Sequence, residues 1–457
     1  MKREICKIHS LDSVWTMCNK EAADNLRNMM SYEYTLYIPG RFGKKKKMVK
    51  KYLIEGRGNG EFYFLTGYVD RCLNYLEGHN IAYEYESDIM EVPYNDPGIP
   101  GIEFREYQLD LINRALEVGR GVLKSPTGSG KSIIILGIMS AFSQESILFL
   151  VHTTDLVYQM KEDLVKFGFD DIGVWSGEDK FIGRITVSTV QSYKKIAREY
   201  TGHWDVVFVD EGHHISQVDK GNYFDALALT GASCKFATTA TMPDKDEGRW
   251  ALEGLIGPII GEITMKEGSA LGFLSVPNII MFELESPYEV WPMKSYAKVY
   301  TEGISKNTVR NIRIAAEAEA RMKIGQTVLI LVSRIDHADR LEDLIDFKTE
   351  IVKGAVSKDE RVRIKEELKS GTLKCVIATT AWIEGVDLPN LNCVINAAAG
   401  KSEIQTLQKI GRGLRKTDIK NSVDIIDFID IGNKFLENHS YHRMTIYKEQ
   451  GWSVTIK

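Results

Sequence analysis

The stretch Ser125-Pro126-Thr127-Gly128-Ser129-Gly130-Lys131-Ser132 joins a short run, Gly121-Val122-Leu123, to an apolar segment of helical length. A glycine-rich turn that opens a helix presents backbone N–H groups and the positive end of a helix dipole, and together these bind phosphate. Thr127, Gly128, Ser129 and Gly130 form such a cradle, with Lys131 placed to reach terminal phosphates and the Ser132 hydroxyl placed to ligate Mg2+. Ser125 stands where the general G-x-x-x-x-G-K-[ST] pattern has its first glycine. Farther along, Asp210-Glu211 closes the apolar run 206–209. Two carboxylates at the carboxyl end of a buried strand sit where open α/β sheets bind ligands. Asp210 suits a hydrated Mg2+, and Glu211 suits the orientation or deprotonation of a water. Arg412 and Arg415 lie in Gln408-Lys409-Ile410-Gly411-Arg412-Gly413-Leu414-Arg415. Three residues apart on a helix, they share a face and can neutralise charge that develops on a γ-phosphate.

The elements that must position these groups follow from the apolar pattern. Strand-length runs occur at 147–151, 185–188, 206–209 and 234–238, with helical or loop segments between them. This alternation predicts a parallel sheet covered by helices on both faces. It starts again near residue 325, with runs at 327–332, 350–352, 376–379, 394–397 and 423–426. The expected fold is therefore α/β, with two tandem parallel-sheet domains, a small α+β N-terminal domain and a short helical C-terminal tail. Pro93, Pro97, Pro100, Gly98 and Gly101 form a turn-rich boundary. The expected domains are 1–95, 96–265, 266–435 and 436–457, with the stretch from about 260 to 300 joining the two sheets.

Bulk properties narrow the class. The 457 residues leave room for about two or three domains. No apolar run reaches the ~18 residues of a membrane span, and no membrane association is expected. The six cysteines are scattered without a C-x-x-C pair, which points to reduced packing residues and a cytoplasmic protein, in the host cytoplasm if the source is viral. A net charge of −5 excludes a chain coated in basic charge, yet phosphate contact needs only a local cluster. Residues 41–51 supply one, with seven basic side chains in eleven. Pro39-Gly40 and Gly43 provide turn chemistry, so a basic hairpin is predicted, with Arg41, Lys44, Lys45, Lys46 and Lys47 either as duplex contacts or as a solvated loop that keeps an edge strand soluble.

Taken in order, these motifs resemble the DExH-type helicases of superfamily 2 over roughly residues 103–432. Phe104-Arg105 and Gln108 are similar to the family's adenine-recognising segment. Val151-His152-Thr153-Thr154 resembles motif Ia, and Thr189 sits where motif Ib meets the nucleic-acid backbone. Asp210-Glu211-Gly212-His213 is a DExH motif II, and Thr239-Ala240-Thr241 matches motif III. Residues 378–387 match motif V, and Gln408 to Arg415 match motif VI. The resemblance implies that the two parallel-sheet domains are RecA-like, with ATP and Mg2+ as cofactors and nucleotide contacts from Arg105, Gln108, Gly385 and Asp387. It implies a catalytic role for Gln408 and strand contacts at Thr153, Thr189 and Thr379. Two departures are Met242 before Pro243 in motif III and Lys409 beside the motif VI glutamine. Within the superfamily the build is similar to the phage UvsW type, which implies work on forked, branched or single-stranded DNA in replication, recombination or repair, with 3'-to-5' movement. RNA, alone or in R-loops, and duplex translocation without strand separation remain the alternative readings. Nothing in the sequence calls for an oligomer.

Overall fold

The computed structural model describes residues 5–40, 43–58, 60–126, 128–352, 358–379, 391–400 and 422–457. The chain divides into two compact units, one of residues 1–125 and 130–262 and one of residues 263–457 with the stretch 126–129.

An eight-stranded sheet organises the first unit. Its strands lie in the order Asp179–Phe181, Ile172–Ser176, Ile185–Thr189, Ile147–Val151, Val206–Val209, Cys234–Thr239, Arg120–Lys124, Ile259–Glu262. All neighbours pair parallel except Asp179–Phe181, which is antiparallel. Four of the strands are buried at every position or nearly so, as expected of parallel strands covered on both faces. The order makes Val206–Val209, Cys234–Thr239 and Arg120–Lys124 consecutive neighbours, in register Val209 to Ala237 and Thr239 to Lys124. The phosphate loop, the carboxylate pair and Thr239-Ala240-Thr241 therefore leave one stretch of the same sheet edge.

A smaller five-stranded sheet is built from Glu55–Gly56, Phe62–Leu65, Trp15–Cys18, Cys6–Ser10 and Tyr83–Ser87, with the helices Lys20–Leu26 and Val69–Gly78. Its apolar core runs without a break into that of the large sheet, from Leu26, Phe64 and Leu76 to Leu252 and Ile256. Polar contacts fasten the junction. The Tyr68 hydroxyl donates to the Trp250 carbonyl at 2.6 Å, and Arg71 pairs with both oxygens of Glu253 at 2.5 and 2.6 Å. Lys235, fully buried, donates to the Ser13 carbonyl at 3.1 Å, and burial holds its ammonium well below the usual lysine pKa.

Ser31–Gly40 and Gly43–Tyr52 form a separate antiparallel ribbon, registered from Ser31 with Tyr52 to Gly40 with Gly43. The sequence pattern suggests lysines in a turn between shorter strands. In the structure they belong to the second strand, because full pairing over ten residues extends the ladder past them. Side chains alternate between faces along a strand, so Lys45 and Lys47 lie on one face and Lys46 on the other, all exposed. Lys44 stands opposite Pro39 in the register, and Arg41 lies outside the described residues.

The second unit holds a seven-stranded sheet in the order Thr349–Val352, Cys375–Thr379, Val328–Val332, Cys393–Asn396, Ser422–Ile431, Val276–Glu285, Val454–Ile456, with every neighbouring pair parallel. Two features differ from expectation. Residues 276–285 are a ten-residue strand of this sheet, paired along its whole length with Ser422–Ile431. The final segment, expected to be helical, contains the helix Lys434–Glu449 and then a strand that extends the sheet.

Candidate nucleotide site and nucleic-acid surface

The phosphate loop begins where Arg120–Lys124 ends. Ser125 is buried and its N–H donates to the Thr239 carbonyl at 2.9 Å, continuing the ladder. Its φ is not positive, so serine serves in place of the expected glycine. Gly128 and Gly130 do take positive φ, 89° and 80°. Gly130 caps the helix Lys131–Ala141, and a Cβ there would lie 2.5 Å from Gln108 Nε2. Gln108 is buried, and its Oε1 accepts from the Arg105 N–H at 3.1 Å. This residue thus ties the helix Glu106–Val118 to the phosphate loop, while Arg105 is exposed. Ser129 Oγ donates to the Pro126 carbonyl, which tightens the loop. Ser132 is exposed in the first turn of its helix, and Thr127 lies outside the described residues.

Lys131 Nζ lies 3.0 Å from Glu211 Oε1. Asp210 Oδ1 accepts from the Thr238 hydroxyl and from the Glu211 N–H, both at 2.9 Å. Burial and then the charge of Glu211 raise the Asp210 pKa above the usual range. Burial acts in the same direction on Glu211, but Lys131 and His213 outweigh it and hold that carboxyl well below. His213 Nδ1 lies 3.2 Å from Glu211 Oε2 and 3.2 Å from Thr239 Oγ1, which links the carboxylate to Thr239-Ala240-Thr241. The His213 ring stands 4.3 Å from that of His214, and His214 stands 4.3 Å from His152. Burial first, then Asp210 and Glu211, raise the Tyr223 hydroxyl pKa.

Sequence reasoning brought Lys131, Ser132, Asp210 and Glu211 to one edge of one sheet. It missed Thr238, whose role needs the knowledge that Cys234–Thr239 neighbours Val206–Val209. It also missed the stack of His152 on His214 and the approach of Tyr223. Thr153 and Thr189, expected as strand contacts, each also cap a helix. The Thr153 hydroxyl accepts from Leu156 N–H, and the Thr189 hydroxyl accepts from Ser192 N–H at 3.2 Å in a side chain only 6% exposed. Each hydroxyl accepts one N–H as a helix cap and keeps its own O–H as a donor. Thr379 ends the strand Cys375–Thr379 in the second unit. Gly385, Asp387, Gln408, Arg412 and Arg415 lie outside the described residues.

A parallel sheet with a phosphate loop, a paired carboxylate edge and a second parallel sheet downstream define a P-loop nucleoside triphosphatase of tandem α/β build. Residues 101–244 match the family described as the res subunit of type III restriction enzymes, and residues 309–417 match the helicase conserved C-terminal domain. The chain belongs to superfamily 2 and is an ATP-dependent helicase. It is 27% identical to the ATP-dependent DNA helicase uvsW of Enterobacteria phage T4, covering 78% of this chain and 77% of that one. It is 26% identical to the DNA 3'-5' translocase XPB2 of Sulfurisphaera tokodaii, covering 69% and 80%. In fold it is similar to the ATP-dependent type ISP restriction-modification enzyme LlaBIII, with a TM-score of 0.57 at 14% identity, over 83% of this chain and 32% of that one.

Proposed function

We propose that this helicase works on forked and branched DNA. The observation that carries the reading is the lysine-bearing ribbon, moored at its root by Lys51 to Asp219 at 2.7 Å, on the loop that follows the carboxylate pair. With a net charge of −5 the chain has little general affinity for a polyanion, so clustered cations decide where phosphate is held. The relatives named for DNA favour DNA over RNA.

ATP lays its phosphates on the loop amides, and Lys131 exchanges Glu211 for the β- and γ-phosphates. Glu211, still held by His213, then orients the attacking water. The oxygen donors of Ser132 and Asp210 suit Mg2+, which when bound neutralises phosphate charge. Arg412 and Arg415 stabilise charge on the γ-phosphate, Gln408 aids them, and Gly385 and Asp387 contact the nucleotide. Thr153, Thr189 and Thr379 grip phosphate and sugar, giving little sequence preference. The test is ATP-dependent strand separation on matched forks, Holliday junctions, R-loops and blunt duplexes. Branched substrates are expected to be resolved fastest, and failure on all of them removes the branched-DNA reading. Stimulation of hydrolysis by RNA in preference to DNA would instead favour an RNA substrate.

A further inference from the structure

A cavity of about 390 Å3 opens in the first unit beside the carboxylate pair, at the lower end of the ~300–1,000 Å3 of small-ligand sites. Three segments line it. His152 follows the strand Ile147–Val151, Gln191 stands in the first turn of Val190–Tyr193, and the loop after the carboxylates brings His214 and Gln217. Lys220, Asn222 and Tyr223 complete the wall. This chemistry is that of a base more than of a phosphate. The His152 ring, 4.3 Å from that of His214, and the Tyr223 ring line the cavity as aromatic surfaces for stacking. The side-chain amides of Gln191, Gln217 and Asn222 each offer a donor and an acceptor to a base edge. Among the described residues, Lys220 is the one lysine or arginine that lines the cavity.

The position of the cavity agrees with that chemistry. It adjoins the start of the helix Thr154–Lys166, where the backbone can hold phosphate, and the short turn capped by Thr189. Its loop is moored through Asp219 to Lys51, in the same strand as Lys45, Lys46 and Lys47. A strand running along those lysines arrives at this loop. From His214 the ring stack passes to His213 and so to Glu211.

We propose that this cavity is a subsite that accepts one base of the bound DNA strand by stacking and by amide hydrogen bonds. The proposal rests on the strand-tracking reading above. It is tested with the full chain by fluorescence anisotropy on a single-stranded DNA oligonucleotide and on the same oligonucleotide carrying abasic positions. The wild type is expected to bind the base-bearing strand about fivefold or more tighter, the lower end for one stacked base. The exposed pair Gln191→Ala with Asn222→Ala is expected to reduce that preference to its stacking part while keeping the wild-type affinity for the abasic strand. Equal wild-type affinity for the two strands, or a preference undiminished in the double variant, overturns the subsite. Failure of every strand to stimulate ATP hydrolysis by the wild type would instead strike the motor reading.

Discussion

Glu211 occupies the left-handed region, with φ 50° and ψ 57°, a conformation that costs a non-glycine residue about 1–2 kcal/mol. Tight packing imposes it, because a Cβ on the next residue, Gly212, would lie 3.1 Å from both Ala237 Cβ and Leu252 Cδ1. The turn sends consecutive carboxylates into different surroundings, Asp210 to Thr238 and Glu211 to Lys131 and His213. Their pKa values are pushed apart, which suits two carboxylates with different duties. Glu211→Gln keeps the bulk and removes the charge, so strand-stimulated phosphate release should fall by roughly 10²–10⁴-fold. Titration with a fluorescent nucleotide should show that binding persists, and a variant hydrolysing at the wild-type rate would free Glu211 of any part in water activation. In the second unit the buried Asp427 takes Arg443 Nε at 2.8 Å and Nη2 at 2.9 Å, with the Tyr447 hydroxyl as a further donor. Burial pushes its pKa up, and Arg443 more than reverses this, leaving it below the usual range. The stabilisation is therefore present above the unfolded value of about 3.9 and is lost as pH falls through the lower folded value. Arg443→Met strands a buried carboxylate, and denaturant melts at pH 7 should show a loss of about 3–5 kcal/mol that narrows in acid.

Among the elements, the ribbon is the one least able to stand alone, since isolated two-stranded hairpins are marginal in water. Its root is secured instead. Tyr32 and Leu53 are buried, the Arg27 guanidinium lies 4.5 Å from the centre of the Tyr52 ring, and Lys51 holds Asp219. Replacing Lys45, Lys46 and Lys47 with glutamine should flatten the dependence of fork affinity on salt. The slope of log affinity against log salt should drop by roughly 0.9 for each phosphate that is no longer neutralised, about 2–3 in all; an unchanged slope would mean that the ribbon does not touch phosphate. How much of this could be read beforehand differs from element to element. Val206–Val209 was legible because a continuous apolar run ends in two acids. Val276–Glu285 was not, since Pro277, Asn278, Glu283 and Glu285 interrupt its apolar run, and only Ile279, Ile280, Met281 and Phe282 form a continuous buried stretch. Pairing with Ser422–Ile431, distant in sequence, makes it a strand. The same limit hid Thr238 beside Asp210 and His152 on His214, because partners across a sheet leave no mark in local spacing.

At the scale of the molecule, the first unit couples a basic arm to a hydrolysing edge through a fixed mount. Gly67 marks how close that mount is. A Cβ there would lie 1.9 Å from the Glu253 carbonyl oxygen and 2.6 Å from that of Gly254, both backbone atoms that cannot swing aside. The short helix Thr66–Tyr68 and the helix Asp246–Leu255 therefore touch through backbone. Gly67→Val should pry this junction apart at a cost of about 1–3 kcal/mol, the range for overpacking, visible as an earlier thermal transition. Arg71→Ala, which removes the pair with Glu253 and the guanidinium that lies 4.8 Å from the centre of the Trp250 ring, should weaken the mount without forcing it open. If the mount transmits work, fork unwinding per ATP hydrolysed falls in Gly67→Val and, less, in Arg71→Ala, while hydrolysis stimulated by single strands is retained. A parallel fall of unwinding and hydrolysis in both variants would reduce the junction to a structural support, and the ribbon would then act only as a tether for the duplex.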